Sequence, residues 1–153
     1  LFRSMEKEFL TRLYGDEPKV LSYQNRRYKK LKEIFFRHFG KNPEAVFSVA
    51  GRIEISGNHT DHNNGLVLAA SVNPDMIAAV GKSGKRKITL ISENYEQPFS
   101  VDLEDLTAKE SERGMTTSLI KGVVRRFREL RFDIGGFDAF VMSDILAGAG
   151  LSS

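Results

Sequence analysis

Between Gly51 and His62 the chain reads GRIEISGNHTDH, which places an arginine, an asparagine, two histidines and an aspartate along or just behind strand-like alternation. Asp61 offers a carboxylate suited to accepting hydrogen bonds from sugar hydroxyls; His59 can donate or accept, and Asn58 can do both. Arg52 presents a planar cation that matches phosphate or carboxylate. Three readings stand open. Asn, Asp, Thr and Gly are also the residues that build ordinary turns. His59, Asp61 and His62 can be read as metal ligands, although ligands adjacent in sequence without a distant partner identify a metal site poorly. The third reading is half of a site for a polar ligand.

A second stretch, AGAGLSS, occupies residues 147–153. Small residues behind a strand let the backbone approach closely and aim successive N–H groups at an anion. No lysine precedes the serines, so this is not a Walker A loop. A plain glycine-rich terminus is the alternative, because glycine punctuates loops everywhere.

Both stretches need elements to hold them. Phe2, Met5, Phe9 and Leu13 form one helical stripe that ends at Gly15. A second helix, capped by Ser22, is predicted to run to about Phe39 and stop at Gly40. Its apolar positions are Tyr28, Leu31, Phe35 and Phe39, and the charges of NRRYKKLK at 25–32 form its solvated face. Phe47, Val49, Gly51, Ile53 and Ile55 then alternate with polar or small residues, a half-buried strand that puts Arg52 on the face opposite the apolar one. Two further strands are predicted over 65–73 and 75–81, broken at Asn73-Pro74. GKSGKRK reads as a turn into ITLIS, which makes a meander. A short strand at 99–102 and an acidic loop follow. Leu119, Val123, Phe127 and Leu130 mark a helix over about 116–131, and FDAFVMSD is the last strand before ILAGAGLSS. The pattern is α+β with a mixed, largely antiparallel sheet and no internal domain boundary.

Composition narrows the function classes. The 153 residues, 41% of them hydrophobic, suffice for one domain with a core. The absence of cysteine excludes a disulfide framework and thiolate metal sites, and is compatible with the cytosol. GLVLAASV is too short to span a bilayer, and the opening LFRSMEKEF carries no signal pattern and begins at Leu1 instead of Met. With 23 basic against 20 acidic residues, the net charge of +3 does not define a nucleic-acid binder, and no stacking pattern of aromatics accompanies NRRYKKLK. Neither a nucleic acid nor a membrane is expected as partner.

Taken together, the two stretches are far more specific than either alone. GRIEISGNHTDHNNGLVLAASVN resembles the sugar-binding signature of galactokinases, and AGAGLSS resembles the glycine-serine ATP-phosphate loop of the GHMP kinase superfamily to which galactokinases belong. The resemblance implies the GHMP-kinase N-terminal domain, a ribosomal protein S5 domain 2-like fold, present incompletely. It implies a cytoplasmic kinase that uses ATP and Mg²⁺ to phosphorylate galactose or a related sugar at the anomeric hydroxyl. It places Arg52 near the transferring phosphate as the catalytic residue, and Asn58, His59 and Asp61 on the sugar. Gly148, Gly150, Ser152 and Ser153 would lie against the ATP phosphates, with Ser153 at the Mg²⁺. The chain departs from the family pattern at Asn58, where Glu is usual, at His62, where Tyr is usual, and at Leu146, where Pro commonly stands. The first departure bears on which sugar is taken; N-acetylgalactosamine and arabinose are the alternatives to galactose. A sugar- and ATP-binding regulatory sensor without turnover is the other class. The sequence reaches only Ser153, within the phosphate motif, so a fragment without the C-terminal lobe, inactive by itself, is expected.

Overall fold

Gly15 and Gly40 end the first two helices, as predicted. The computed structural model describes residues 2–57, 60 and 63–145. Helix α1 spans Phe2–Tyr14 and α2 spans Pro18–Phe39. Gly15 and Gly40 adopt φ of 84° and 67°, conformations that cost glycine least. Their N–H groups donate to the carbonyls of Thr11 and Phe36 at 2.9 and 2.8 Å, closing the helix ends. The start of α2 differs from expectation. Pro18, with φ preset and no N–H to leave unpaired, opens the helix four residues before Ser22. Ser22 therefore lies inside the helix, where its hydroxyl accepts from Arg26 Nη1 at 2.8 Å.

Strands β1 (Ala45–Ser56), β2 (Leu68–Lys82), β3 (Lys87–Ser92), β4 (Phe99–Asp102) and β5 (Phe137–Ser143) form a sheet in the order β1-β2-β5-β3-β4, with α3 (Thr116–Glu129) between β4 and β5 in sequence. The sheet is mixed, as expected: β3 pairs antiparallel with β4 (Ile88 opposite Val101) and parallel with β5 (Leu90 opposite Ala139). The predicted meander does not form, because β5 inserts between β2 and β3. The reason is legible in β5 itself. Ala139, Phe140, Val141 and Met142 are consecutive and all buried, the pattern of a strand covered on both faces, which belongs in the middle of a sheet. A parallel partner also requires a long crossover, which the segment carrying α3 supplies. The predicted break at Asn73-Pro74 is absent too. Pro74 removes one donor without stopping β2, and alternate positions Asp75, Ile77, Ala79 and Gly81 are buried along one face.

The chain divides into two compact units, one of residues 1–34, 48–77 and 143–153, the other of 35–47 and 78–142. In the second, Ile88, Val101, Leu103 and Val124 form a core joined by Leu106, Ile120, Ile134 and Phe137. Helix α3 turns Ile120 and Val124 to this core, while the stripe that marks the helix in sequence, Leu119, Val123 and Phe127, stays exposed. Successive residues differ by about 100° around a helix, so the two stripes lie side by side and only one meets the core. Lys121 is buried with them and donates from Nζ to both carboxylate oxygens of Glu112 at 2.7 and 2.8 Å. In the first unit Leu10, Tyr28, Leu31 and Ile77 are buried, with Phe9 edge-on to Tyr28 at 6.1 Å between ring centres. Among the described residues no helix is long and apolar enough to cross a membrane.

Candidate functional site

Arg52 lies on β1, exposed to solvent on the strand face opposite Gly51. The face opposite Arg52, expected to be half-buried, is open at Phe47, Val49 and Ile55, and only Gly51 is buried. Behind β1 the chain turns sharply. Gly57 takes φ of 125°, and the Thr60 hydroxyl donates to its carbonyl at 2.7 Å. The Thr60 carbonyl in turn accepts from the N–H groups of Asn63 and Gly65 at 2.9 and 2.8 Å, and Asn64 adopts φ of 61°. Turn chemistry therefore explains Gly57, Thr60, Asn64 and Gly65. Asn58, His59, Asp61 and His62, the residues with ligand chemistry, lie outside the described residues, as do Gly148, Gly150, Ser152 and Ser153.

A described residue just ahead of the second stretch nevertheless packs on β1 within the first unit. Ile145, two residues beyond β5, crosses β2 and reaches β1. A Cβ placed on Gly51 would stand 3.0 Å from Ile145 Cδ1 and 3.1 Å from both Val72 Cγ2 and the Pro74 carbonyl oxygen. A side chain at this position would force its neighbours to give by a few tenths of an ångström, so the glycine before Arg52 is the seat of Ile145. Gly51→Val is expected to cost about 1–3 kcal/mol through overpacking against the rigid Pro74 carbonyl. Urea unfolding measures this; an unmoved midpoint would mean that the seat does not exist.

Around that seat stands a buried polar cluster. Arg27 on α2 and Asp75 on β2 have side chains only 3% and 4% exposed. Arg27 Nη1 donates to Asp75 Oδ1 at 2.5 Å and Nη2 to the Asp75 carbonyl at 2.9 Å. Asp75 Oδ2 accepts from Tyr14 and Ser48 hydroxyls, each at 2.5 Å. Because Tyr14 has one proton and gives it to Asp75, Tyr28 is the donor in the 2.9 Å contact between the two phenols. Asp144, next after β5, donates its N–H to the Asp75 carbonyl at 3.0 Å. Its Oδ1 accepts from Tyr23 at 3.0 Å and lies 3.2 Å from Arg27 Nε, within ion-pair reach although not aligned as a hydrogen bond.

Electrostatics follow the packing. Burial lowers the Arg27 pKa, but the hydrogen bond and charge of Asp75 outweigh it, and the guanidinium is held charged. Burial, then the bond to Asp75, raises the Tyr14 phenol above its ordinary range; burial does the same to Tyr28, and burial followed by Asp144 to Tyr23. Folded values above unfolded ones mean that these phenols favour the fold below pH about 10, and that this contribution is lost as pH rises beyond it.

Sequence reasoning placed Arg27 on the solvated face of α2, and this is corrected: Arg26, Lys29 and Lys30 are exposed, whereas Arg27 is buried. It also missed Asp75 and Asp144. The available signal was Asp75 in register with Ile77 and Ala79, an acid on the buried face of a strand, which demands a cation or several donors. Among the described residues no group of three or more His, Cys, Asp or Glu stands together as a metal site.

Residues 33–82 match the family model of the galactokinase galactose-binding signature. The chain is 30% identical over 129 residues to a galactokinase of Clostridium tetani, covering 84% of this chain and 32% of that protein. Its fold matches the galactokinase of Lactococcus lactis solved with galactose, with a TM-score of 0.67 and 28% identity over 82% of this chain and 33% of the other. The mevalonate kinase of Methanococcus jannaschii shares the fold at a TM-score of 0.55 and 12% identity, over 70% of this chain and 34% of its own. The chain thus spans about a third of the length of each of these relatives. Signature, sequence and fold thus agree: the chain carries the galactokinase galactose-binding signature and is similar to galactokinases in both sequence and fold.

Proposed function

We propose that the intact protein transfers the terminal phosphate of ATP to the anomeric hydroxyl of galactose or a closely related sugar, giving the sugar 1-phosphate. The observation that carries this reading is the seat of Ile145 on Gly51, which brings the strand of Arg52 to the entrance of the glycine-serine segment in a chain of galactokinase sequence. Asn58, His59 and Asp61 fall within the matched signature and supply donors and acceptors for ring hydroxyls. Gly148 and Gly150 let backbone N–H groups approach phosphate oxygens, and Ser152 and Ser153 add hydroxyl donors.

That donor set suits a nucleotide carrying Mg²⁺. The ion is commonly held by one or two protein oxygens plus phosphates and water, so no acidic cluster is needed, and the Ser153 hydroxyl is the proposed ligand. When bound, the ion neutralises charge on the phosphate oxygens. The chain's own residues hold donor and acceptor in line, and the Arg52 guanidinium, exposed on β1, meets the charge that builds on the transferred group. Asn58 offers a neutral amide where a carboxylate is usual, which loses a charge-assisted bond worth about 1 kcal/mol more than a neutral one. Discrimination at the facing hydroxyl is therefore relaxed.

A screen of ADP release from the intact protein with galactose, N-acetylgalactosamine and arabinose tests the reading. Sugar-dependent release is expected with galactose and, at lower kcat/KM, with an analogue altered at the hydroxyl facing Asn58. Galactose binding without ADP release would assign a sensor, and absence of both would overturn the proposal.

A further inference from the structure

The loop between β4 and α3 reads as acidic in sequence, yet the cavity it forms against α3 is lined by more cations than acids. Its volume is about 400 Å³, within the range of small-ligand pockets, and it lies wholly inside the second unit. Lys109, Arg113, Lys121 and Arg125 bring positive charge to its wall, and Glu110 and Glu112 negative. Asp105 and Glu129, the acids paired with Lys109 and Arg125, are not part of that wall. The charge facing the cavity is therefore net positive, although each cation has an acid beside it, and a concave wall concentrates such a field.

The cavity is built before any ligand arrives. The N–H groups of Glu112, Arg113 and Met115 donate to the carbonyls of Lys109, Glu110 and Glu112 at 3.0, 3.1 and 3.0 Å, folding the loop on itself. Buried Lys121 then ties the loop to the helix through both carboxylate oxygens of Glu112. That pair is neutral and fixed, which leaves three cations facing Glu110. Arg113 pairs through Nη1 and Arg125 through Nε, so each guanidinium keeps donors that its ion pair does not use. Both side chains are mostly exposed, and exposed ion pairs hold weakly enough to be exchanged for a ligand. A planar guanidinium meets two oxygens of a phosphate at once. The first turn of α3 holds no acid and Met115 gives it no side-chain cap, so the positive end of the helix is uncompensated beside the cavity.

The space exceeds what a bare anion fills. Leu106 and Ala108 supply an apolar strip, and the Ser118 hydroxyl, which donates to the Met115 carbonyl at 2.7 Å, can still accept from a ligand hydroxyl. We infer that the cavity between residues 106–114 and α3 binds a phosphomonoester dianion on a small hydroxylated carrier, with Arg113 and Arg125 gripping the phosphate and Lys109 adding charge. The site uses no residue assigned above to the sugar or to ATP, so it does not depend on the kinase reading.

Calorimetric titration of the intact protein with glycerol 3-phosphate, inorganic phosphate and glycerol tests this. Glycerol 3-phosphate is expected to bind, more weakly as salt is raised, inorganic phosphate to bind less tightly, and glycerol not at all. Arg113→Gln together with Arg125→Gln should weaken glycerol 3-phosphate about tenfold or more, the scale of losing bonds to a charged group. Both positions are exposed, so the fold is safe. Arg126→Gln makes the same kind of charge change one residue along α3, outside the wall, and should stay within about twofold. Glu110→Gln removes the exposed acid that competes for Arg113 and should tighten binding about two- to fivefold, an effect a merely structural ion pair would not give. No binding by the parent, unchanged binding by the double variant, or an equal loss in Arg126→Gln overturns the site. Inorganic phosphate binding as tightly as glycerol 3-phosphate overturns the ester as its ligand.

Discussion

Arg27→Met is expected to lower the stability of the fold by about 3–5 kcal/mol. The size follows from what is left behind. Asp75, with its side chain 4% exposed, keeps the Tyr14 and Ser48 hydroxyls but loses the Arg27 guanidinium that pairs its charge, and the main-chain carbonyl of Asp75 loses the Arg27 donor while keeping the Asp144 N–H. An uncompensated buried carboxylate is far more costly than the net worth of the original pair. Replacing Asp75 by Asn together with Arg27→Met removes both charges and should return a substantial part of the loss, because the hydroxyls can still reach an amide oxygen. Urea unfolding of the single and double variants measures this. If the single variant loses less than about 1 kcal/mol, the pair is not the buried anchor described.

Arg52→Ala is the second large effect, on catalysis instead of stability. Arg52 is exposed on β1, so its removal should move the unfolding midpoint by no more than about 0.5 kcal/mol. In the intact protein kcat should fall about 100- to 1,000-fold, the scale of losing one group aimed at transition-state charge, with little change in KM for galactose. Arg52→Lys should fall between the parent and Arg52→Ala, since a point charge replaces only part of a planar fork. An unchanged kcat would remove Arg52 from the mechanism.

The contrast between these two arginines shows what the sequence displayed and what it concealed. Arg52 was legible because it falls on the polar side of an alternating strand and stands beside an unusual polar loop. Arg27 was concealed inside NRRYKKLK, where one buried cation among exposed ones looks the same as its neighbours; its burial is decided by Asp75, 48 residues away. The helix ends at Gly15 and Gly40 were readable because glycine there answers a local demand on φ. The place of β5 between β2 and β3 answers to a non-local one, the need to cover both faces of Ala139–Met142, and turn chemistry after β2 pointed instead to a hairpin. The stripe of Leu119, Val123 and Phe127 identified α3 as a helix, but periodicity does not say which of two adjacent faces meets the core. In the loop after β1, the turn-building reading holds for part of the segment. Gly57, Thr60 and Asn64 make the turn, and the family signature spans the polar residues between them.

The central claim is a phosphoryl transfer to one oxygen of one sugar, and the most direct measurement is the identity of the product. Phosphorus NMR of the intact protein with galactose, ATP and Mg²⁺ should show a new sugar-phosphate signal coupled to the anomeric proton, growing as the signal of the terminal phosphate of ATP declines, and absent when galactose is omitted. Inorganic phosphate as the sole product, a phosphate on any other carbon, or no turnover with protein that is folded and binds both ligands would contradict it.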